Sequence, residues 1–158
     1  MEYEIGKFRS IGKEGYEGTI LKNGKKIADF ENNGRSADSI LFDEREYKNE
    51  FIKMGEKLKS ESRYVNMEMD GEDVMFRIIL DRYIRLKEQK KYSKKGYEIT
   101  MIGVLITDID KQFNFPGQEM TIAGHNVEDI KKEAKRIKCE ELYEIDENGD
   151  LINKIIIK

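Results

Sequence analysis

Ile20-Leu21-Lys22-Asn23-Gly24-Lys25-Lys26-Ile27-Ala28-Asp29-Phe30 decides how this chain begins to fold. Asn23-Gly24 between two apolar runs is the strongest short-range signal for a β-hairpin, because both positions tolerate the positive φ of a tight turn. Upstream, apolar and aromatic residues recur at Tyr3-Glu4-Ile5, Phe8 and Tyr16. Downstream, Asn32-Asn33-Gly34 makes a second turn before Ser39-Ile40-Leu41-Phe42. The first forty residues therefore read as an antiparallel β-meander of three or four strands.

Helical spacing takes over after the meander. Asp43 with Glu46 three residues later approximates a capping box. Tyr47, Phe51, Met54 and Leu58 follow on one helical face. Gly55 weakens this helix, which should end near Ser60, and residues 61–70 look irregular. Asp70-Gly71-Glu72-Asp73 opens a second helix, whose Val74, Phe76, Ile78, Ile79, Leu80, Tyr83 and Ile84 give a wide apolar face. It continues into a tail rich in Lys and Arg, with Leu86 its last buried-looking residue, and turns at Gly96.

Tyr97 to Thr107 has the apolar run of a buried strand. The stretch from Asp108 to Gly124, which holds the single proline, Pro116, reads as a long loop with a short strand. Asn126 caps a third helix from Val127 to Lys138, with Val127, Ile130, Ala134 and Ile137 facing inward. Leu142–Ile145 and Leu151–Ile157 form a hairpin around Asn148-Gly149. The expected product is one compact α+β domain over residues 1–158. It has an N-terminal antiparallel β-meander, two central helices, a buried strand, a third helix and a C-terminal β-hairpin.

Charge is distributed unevenly. The chain carries 29 Lys and Arg against 32 Asp and Glu, a net charge of −3. That excess of acid argues against nucleic-acid binding over the whole surface. Yet Arg82, Arg85, Lys87, Lys90, Lys91, Lys94 and Lys95 cluster against one acid, Glu88. Residues 1–81 hold 14 basic and 18 acidic side chains, and residues 96–158 hold 8 and 13. A basic island in an acidic chain is the mark of a surface for a polyanion or an acidic protein face. Cationic residues ending a helix also answer the helix dipole, which is the simpler explanation.

No apolar run approaches the roughly 18 residues needed to cross a bilayer. Met1-Glu2-Tyr3-Glu4 lacks the layout of a signal peptide, and the single cysteine, Cys139, fits a reducing compartment. A cytoplasmic location is the expectation.

Searches for reaction chemistry find little. His125 and Cys139 flank the third helix, and at about 1.5 Å rise per residue they stand roughly 20 Å apart, too far for a dyad. A structural zinc site lacks its four Cys or His ligands. Asp108, Asp110 and Glu119 match three EF-hand positions, but Phe113 stands where the loop needs glycine. Asp146-Glu147-Asn148-Gly149-Asp150 is acidic but reads as a hairpin turn. Gly12, Gly15 and Gly18 lie between strands, with no helix after them to meet a phosphate. No catalytic residue, metal ligand or cofactor site is assigned, and an enzyme is not expected. A small-molecule site would need a pocket that sequence does not show.

Surfaces remain. Tyr92 lies among Lys90, Lys91, Lys94 and Lys95, the mixture that stacks bases while neutralising phosphates. The candidate binding surface is Arg85, Lys87, Lys90, Lys91, Tyr92, Lys94 and Lys95, with Arg35 at the tip of the Asn32–Ser36 turn as a second candidate.

Gly15-Tyr16-Glu17-Gly18, Asn23-Gly24-Lys25-Lys26-Ile27-Ala28 and Asn33-Gly34-Arg35-Ser36, then a capped helix and a Lys-rich segment, resemble a diffuse group of small phage, prophage and plasmid proteins. The likeness covers roughly residues 8–95. It implies a mobile-element accessory protein, a class that includes inhibitors of host defence such as anti-CRISPR proteins. The expected function is thus a non-enzymatic binding protein that inhibits or modulates a host protein or protein–nucleic acid complex, such as a CRISPR-type nuclease, by surface docking. Acidic faces around Asp43–Glu50 and Glu140–Asp150 would meet a basic channel on that partner. The alternative is a nucleic-acid-binding accessory protein that uses the basic helix tail at 82–95.

Overall fold

The computed structural model describes residues 2–35 and 38–157. They gather into two compact units, the first of residues 1–62 and 69–80, the second of residues 63–68 and 81–158.

In the first unit, β1 (Tyr3–Ile11), β2 (Gly15–Lys22), β3 (Lys25–Asn32) and β4 (Ser39–Phe42) form an antiparallel sheet in chain order. This is the expected meander, with four strands. Asn23 at φ 50° and Gly24 at φ 83° make the hairpin turn and set Lys22 opposite Lys25. The register slips between Ile20 and Leu21, leaving Ile27 as the extra residue of a bulge. The slip allows Ile27 and Ala28 both to be buried, which strict alternation would forbid.

α1 (Arg45–Lys59) buries Phe51 against the rings of Tyr3 at 5.5 Å and Phe42 at 5.3 Å. Each fully buried ring of this size contributes roughly 1.5–3 kcal/mol. The capping box expected at Asp43 does not form. α1 starts after Glu44, whose side chain makes no cap bond. Asp43 instead prolongs the sheet: its amide donates to the Ile27 carbonyl at 2.8 Å, and its carboxylate lies 3.3 Å from Lys26 Nζ. Gly55 has a packing reason, since a Cβ there would collide with the carbonyl of Gly71. Gly71 opens α2 (Gly71–Lys94), and Asp70 Oδ1 accepts from the Asp73 amide at its start. The ring of Phe76 packs 4.9 Å from that of Phe30.

Tyr16 donates its hydroxyl to Asp38, which also accepts from Asn32 Nδ2 at 3.0 Å. Burial, helped by this carboxylate, pushes the Tyr16 phenol up from 10.0 to about 12. An unfolded tyrosine loses its proton near pH 10, whereas folded Tyr16 keeps it to about pH 12. The native state then holds the extra proton, so stability falls with rising pH across that window. Thermal melts through this range should show a shallower alkaline decline for Tyr16→Phe than for wild type. Parallel declines would remove Tyr16 as the source.

In the second unit, β5 (Ile99–Leu105), β6 (Gln118–Gly124), β7 (Glu141–Ile145) and β8 (Leu151–Ile156) form an antiparallel sheet in the order β6-β5-β7-β8. Central β5 buries Met101, Ile102 and Val104, as its apolar run requires. α4 (Val127–Arg136) is capped by Asn126, whose Oδ1 accepts from Asp129, and it closes a core of Met101, Ile122, Ile130, Ala134, Cys139 and Leu142. β8 is an edge strand, with Ile152 and Ile156 exposed.

The stretch from Asp108 to Gly124, expected as a long loop with a short strand, has that strand as β6 but opens with α3 (Asp108–Phe113) in place of loop. A capping box starts α3: Thr107 Oγ1 accepts from the Asp110 amide, and Asp110 Oδ2 accepts from the Thr107 amide. Six residues are too few to show helical periodicity, but the Thr-x-x-Asp pattern is visible in the sequence. Among the described residues, no helix is long and apolar enough to cross a membrane.

Candidate functional site

The basic island divides into two chemically different parts. Its N-terminal arginines are structural. Arg85 is 8% exposed and grips Glu119 with two hydrogen bonds of 2.8 Å, while its third nitrogen donates to the Gly149 carbonyl at 2.9 Å. Burial is the main force pulling its guanidinium below the usual value. Glu119 also pairs with Arg63, which donates to the Gly117 carbonyl at 2.9 Å. Arg82 binds Asp150 at 2.7 Å. Arg85, chosen from sequence as a contact residue, is therefore an internal anchor. The apolar face is turned correspondingly: Ile84, expected inside, is 44% exposed. One residue is a 100° step around a helix, which separates these two fates.

The lysines face outward. Lys87, Lys90, Lys91 and Lys94 occupy helical positions i, i+3, i+4 and i+7, so α2 displays them as one stripe. Lys95 follows in the turn. Tyrosine rings lie beneath the ammonium groups: Lys87 Nζ is 5.9 Å from the Tyr83 ring, and Lys91 and Lys95 Nζ are each 5.5 Å from the Tyr92 ring. Glu88 approaches Lys91 at 3.9 Å and offsets part of its charge.

The end of α2 is built by its sequence. Gly96, at φ 95°, donates to the Ser93 carbonyl, and Tyr97 donates to the Tyr92 carbonyl at 3.2 Å. These are the two bonds of a Schellman cap, and the contact of the Tyr92 and Tyr97 rings at 5.9 Å is its usual apolar partner. The Glu98 amide then donates to the Gly124 carbonyl, and Ile99 pairs with Gly124 where β5 meets β6. That register sets His125 beside Tyr97, with ring centroids 5.6 Å apart and planes 29° from parallel. The outcome is a row of three rings, Tyr92, Tyr97 and His125, bordered by Lys91 and Lys95.

Sequence reasoning found Tyr92 and the lysines but missed Tyr97 and His125. The Tyr-x-x-x-Gly-Tyr pattern could have given Tyr97, because a Schellman cap brings those two rings together. His125 needed the cross-strand register. Arg35 lies in the first unit and is exposed; its amide donates to Asn33 Oδ1 at 2.8 Å. Ser36, the last residue of that turn, falls outside the described residues.

The other candidate chemistries go elsewhere. Cys139 is buried, which raises its thiol, while His125 is exposed, with unbroken α4 between them. Asp110 serves the α3 cap, Glu119 holds its arginines, and Asp146 Oδ1 accepts the amides of Asn148 and Asp150 in the hairpin turn. Half of the acids nominated as docking faces are matched by neighbours: Asp43 by Lys26, Glu50 by Lys22, Glu140 by Lys111, Glu141 by Lys154 and Asp150 by Arg82. A groove of about 780 Å³ crosses the outer face of the β1–β4 sheet, where Lys7 and Arg9 of β1 face Glu17, Asp29 and Glu31 of β2 and β3, beside exposed Leu41. Comparisons with protein-family models, with curated proteins and with solved structures find no match to this chain.

Proposed function

We propose that this chain is a non-enzymatic binding protein that engages nucleic acid through the basic end of α2. The observation that carries the reading is the single stripe of Lys87, Lys90, Lys91 and Lys94, continued by Lys95, on a capped helix end. A stripe of ammonium groups neutralises successive phosphates and releases their counterions. The mobile-element origin implied by the sequence resemblance fits the same surface. An inhibitor of a CRISPR-type nuclease could use this face on nucleic acid held by its target, whereas five of the ten acids of the alternative docking faces already have basic neighbours.

Fluorescence anisotropy with a labelled single-stranded oligonucleotide, repeated over a salt series, tests the reading. Five lysines at about 0.7 counterions per phosphate predict a log–log slope near −3.5. No binding at low salt would overturn it.

A further inference from the structure

The ring row carries the nucleic-acid reading one step further, and the inference rests on that reading. We propose that Tyr97 and His125 form a base-stacking platform, so that the site selects single-stranded nucleic acid over duplex. The lysines alone would not discriminate, because ammonium groups meet phosphates on either form. Rings do discriminate. A duplex keeps its base faces inside its own stack, whereas a single strand offers them, and every base has a π-face to offer.

Three features of the row support this role. Tyr97 is 38% exposed and His125 is exposed, so the row reaches solvent instead of ending in the core. Tyr97 and His125 lie near parallel, and a base laid on the outer face of His125 extends their stack. Tyr92 has a different part. Lys91 and Lys95 lie over its ring and it meets Tyr97 at 74°, so it supports the platform and holds two cations at its border. Phosphates therefore run along the lysine side while bases turn toward Tyr97 and His125.

The chain has eight tyrosines and no tryptophan, so its emission is tyrosine emission, to which Tyr92 and Tyr97 contribute two of the eight rings. The test titrates the wild-type protein with a thymidine strand of twelve nucleotides, an abasic phosphodiester strand of equal length, and a duplex. The thymidine strand should bind about tenfold or more tighter than the abasic strand, from roughly 1–3 kcal/mol per stacked base, and should quench the emission. Tyr97→Ala and His125→Ala should bring thymidine affinity down toward the abasic value without changing the salt slope, while Tyr97→Phe, which keeps the ring, should retain it. Equal affinity for the thymidine and abasic strands would overturn the stacking inference and leave the lysine reading standing. Tight binding by Tyr97→Ala together with His125→Ala would do the same. Absence of binding to all three probes would overturn both.

Discussion

Glu119→Ala should be the most damaging single substitution in the second unit, lowering stability by about 3 kcal/mol and the melting temperature by roughly 10 °C. Glu119 faces two arginines, Arg63 and Arg85, whose side chains are 20% and 9% exposed. Removing the carboxylate leaves two guanidinium groups together in a poorly hydrated place, and arginine does not relieve this by deprotonating. The damage also spreads through the fold, because this cluster links α2, β6 and the β7–β8 turn: Arg85 donates to the Gly149 carbonyl, and Arg63 to that of Gly117. Arg85→Met should cost less than Glu119→Ala, since Glu119 keeps Arg63 and the methionine stem replaces buried apolar contact. Thermal melts of the two variants check this order. A Glu119→Ala protein melting within about 2 °C of wild type would show that the cluster adds little to stability.

The second large effect concerns binding. Reversing Lys90, Lys91, Lys94 and Lys95 to Glu should weaken single-strand binding by at least about 100-fold near 50 mM salt and flatten the salt dependence, each lost phosphate contact removing about 0.7 of a unit of slope. Acids at that helix end also oppose the dipole, which costs about 0.3–1 kcal/mol per site and frays the last turn. The same four positions changed to Gln avoid that penalty and should still lose most of the affinity. Anisotropy over a salt series reads both variants. Full affinity in the Gln variant would show that the lysine stripe is not the contact surface.

Much of the fold was legible in the sequence because its signals are local. Asn23-Gly24 and Asn148-Gly149 mark hairpin turns, and Asn126 marks the start of α4 by residue type alone. Asp43 misled because a capping pattern competes with strand pairing, and the ladder to Ile27 won. α3 is too short for periodicity to declare itself. The site was half legible: the Lys87–Lys95 stripe is a spacing argument, but the separation of Arg85 from it depends on Glu119, 34 residues away in the chain. Periodicity did hold a hint, since Arg85 lies seven residues beyond Ile78 on the same helical stripe. His125 joined the ring row only through the pairing of β5 with β6, which no local pattern in the chain encodes.

The claim that one surface, and not overall charge, binds nucleic acid is tested most directly by comparing two variants of equal net charge. One reverses Lys90, Lys91, Lys94 and Lys95; the other reverses Lys13, Lys53, Lys57 and Lys132, all exposed and outside the stripe. Titrated with the same labelled strand at one salt concentration, the first should lose binding and the second should stay within a few-fold of wild type. Equal losses in both would contradict a defined binding surface at the end of α2.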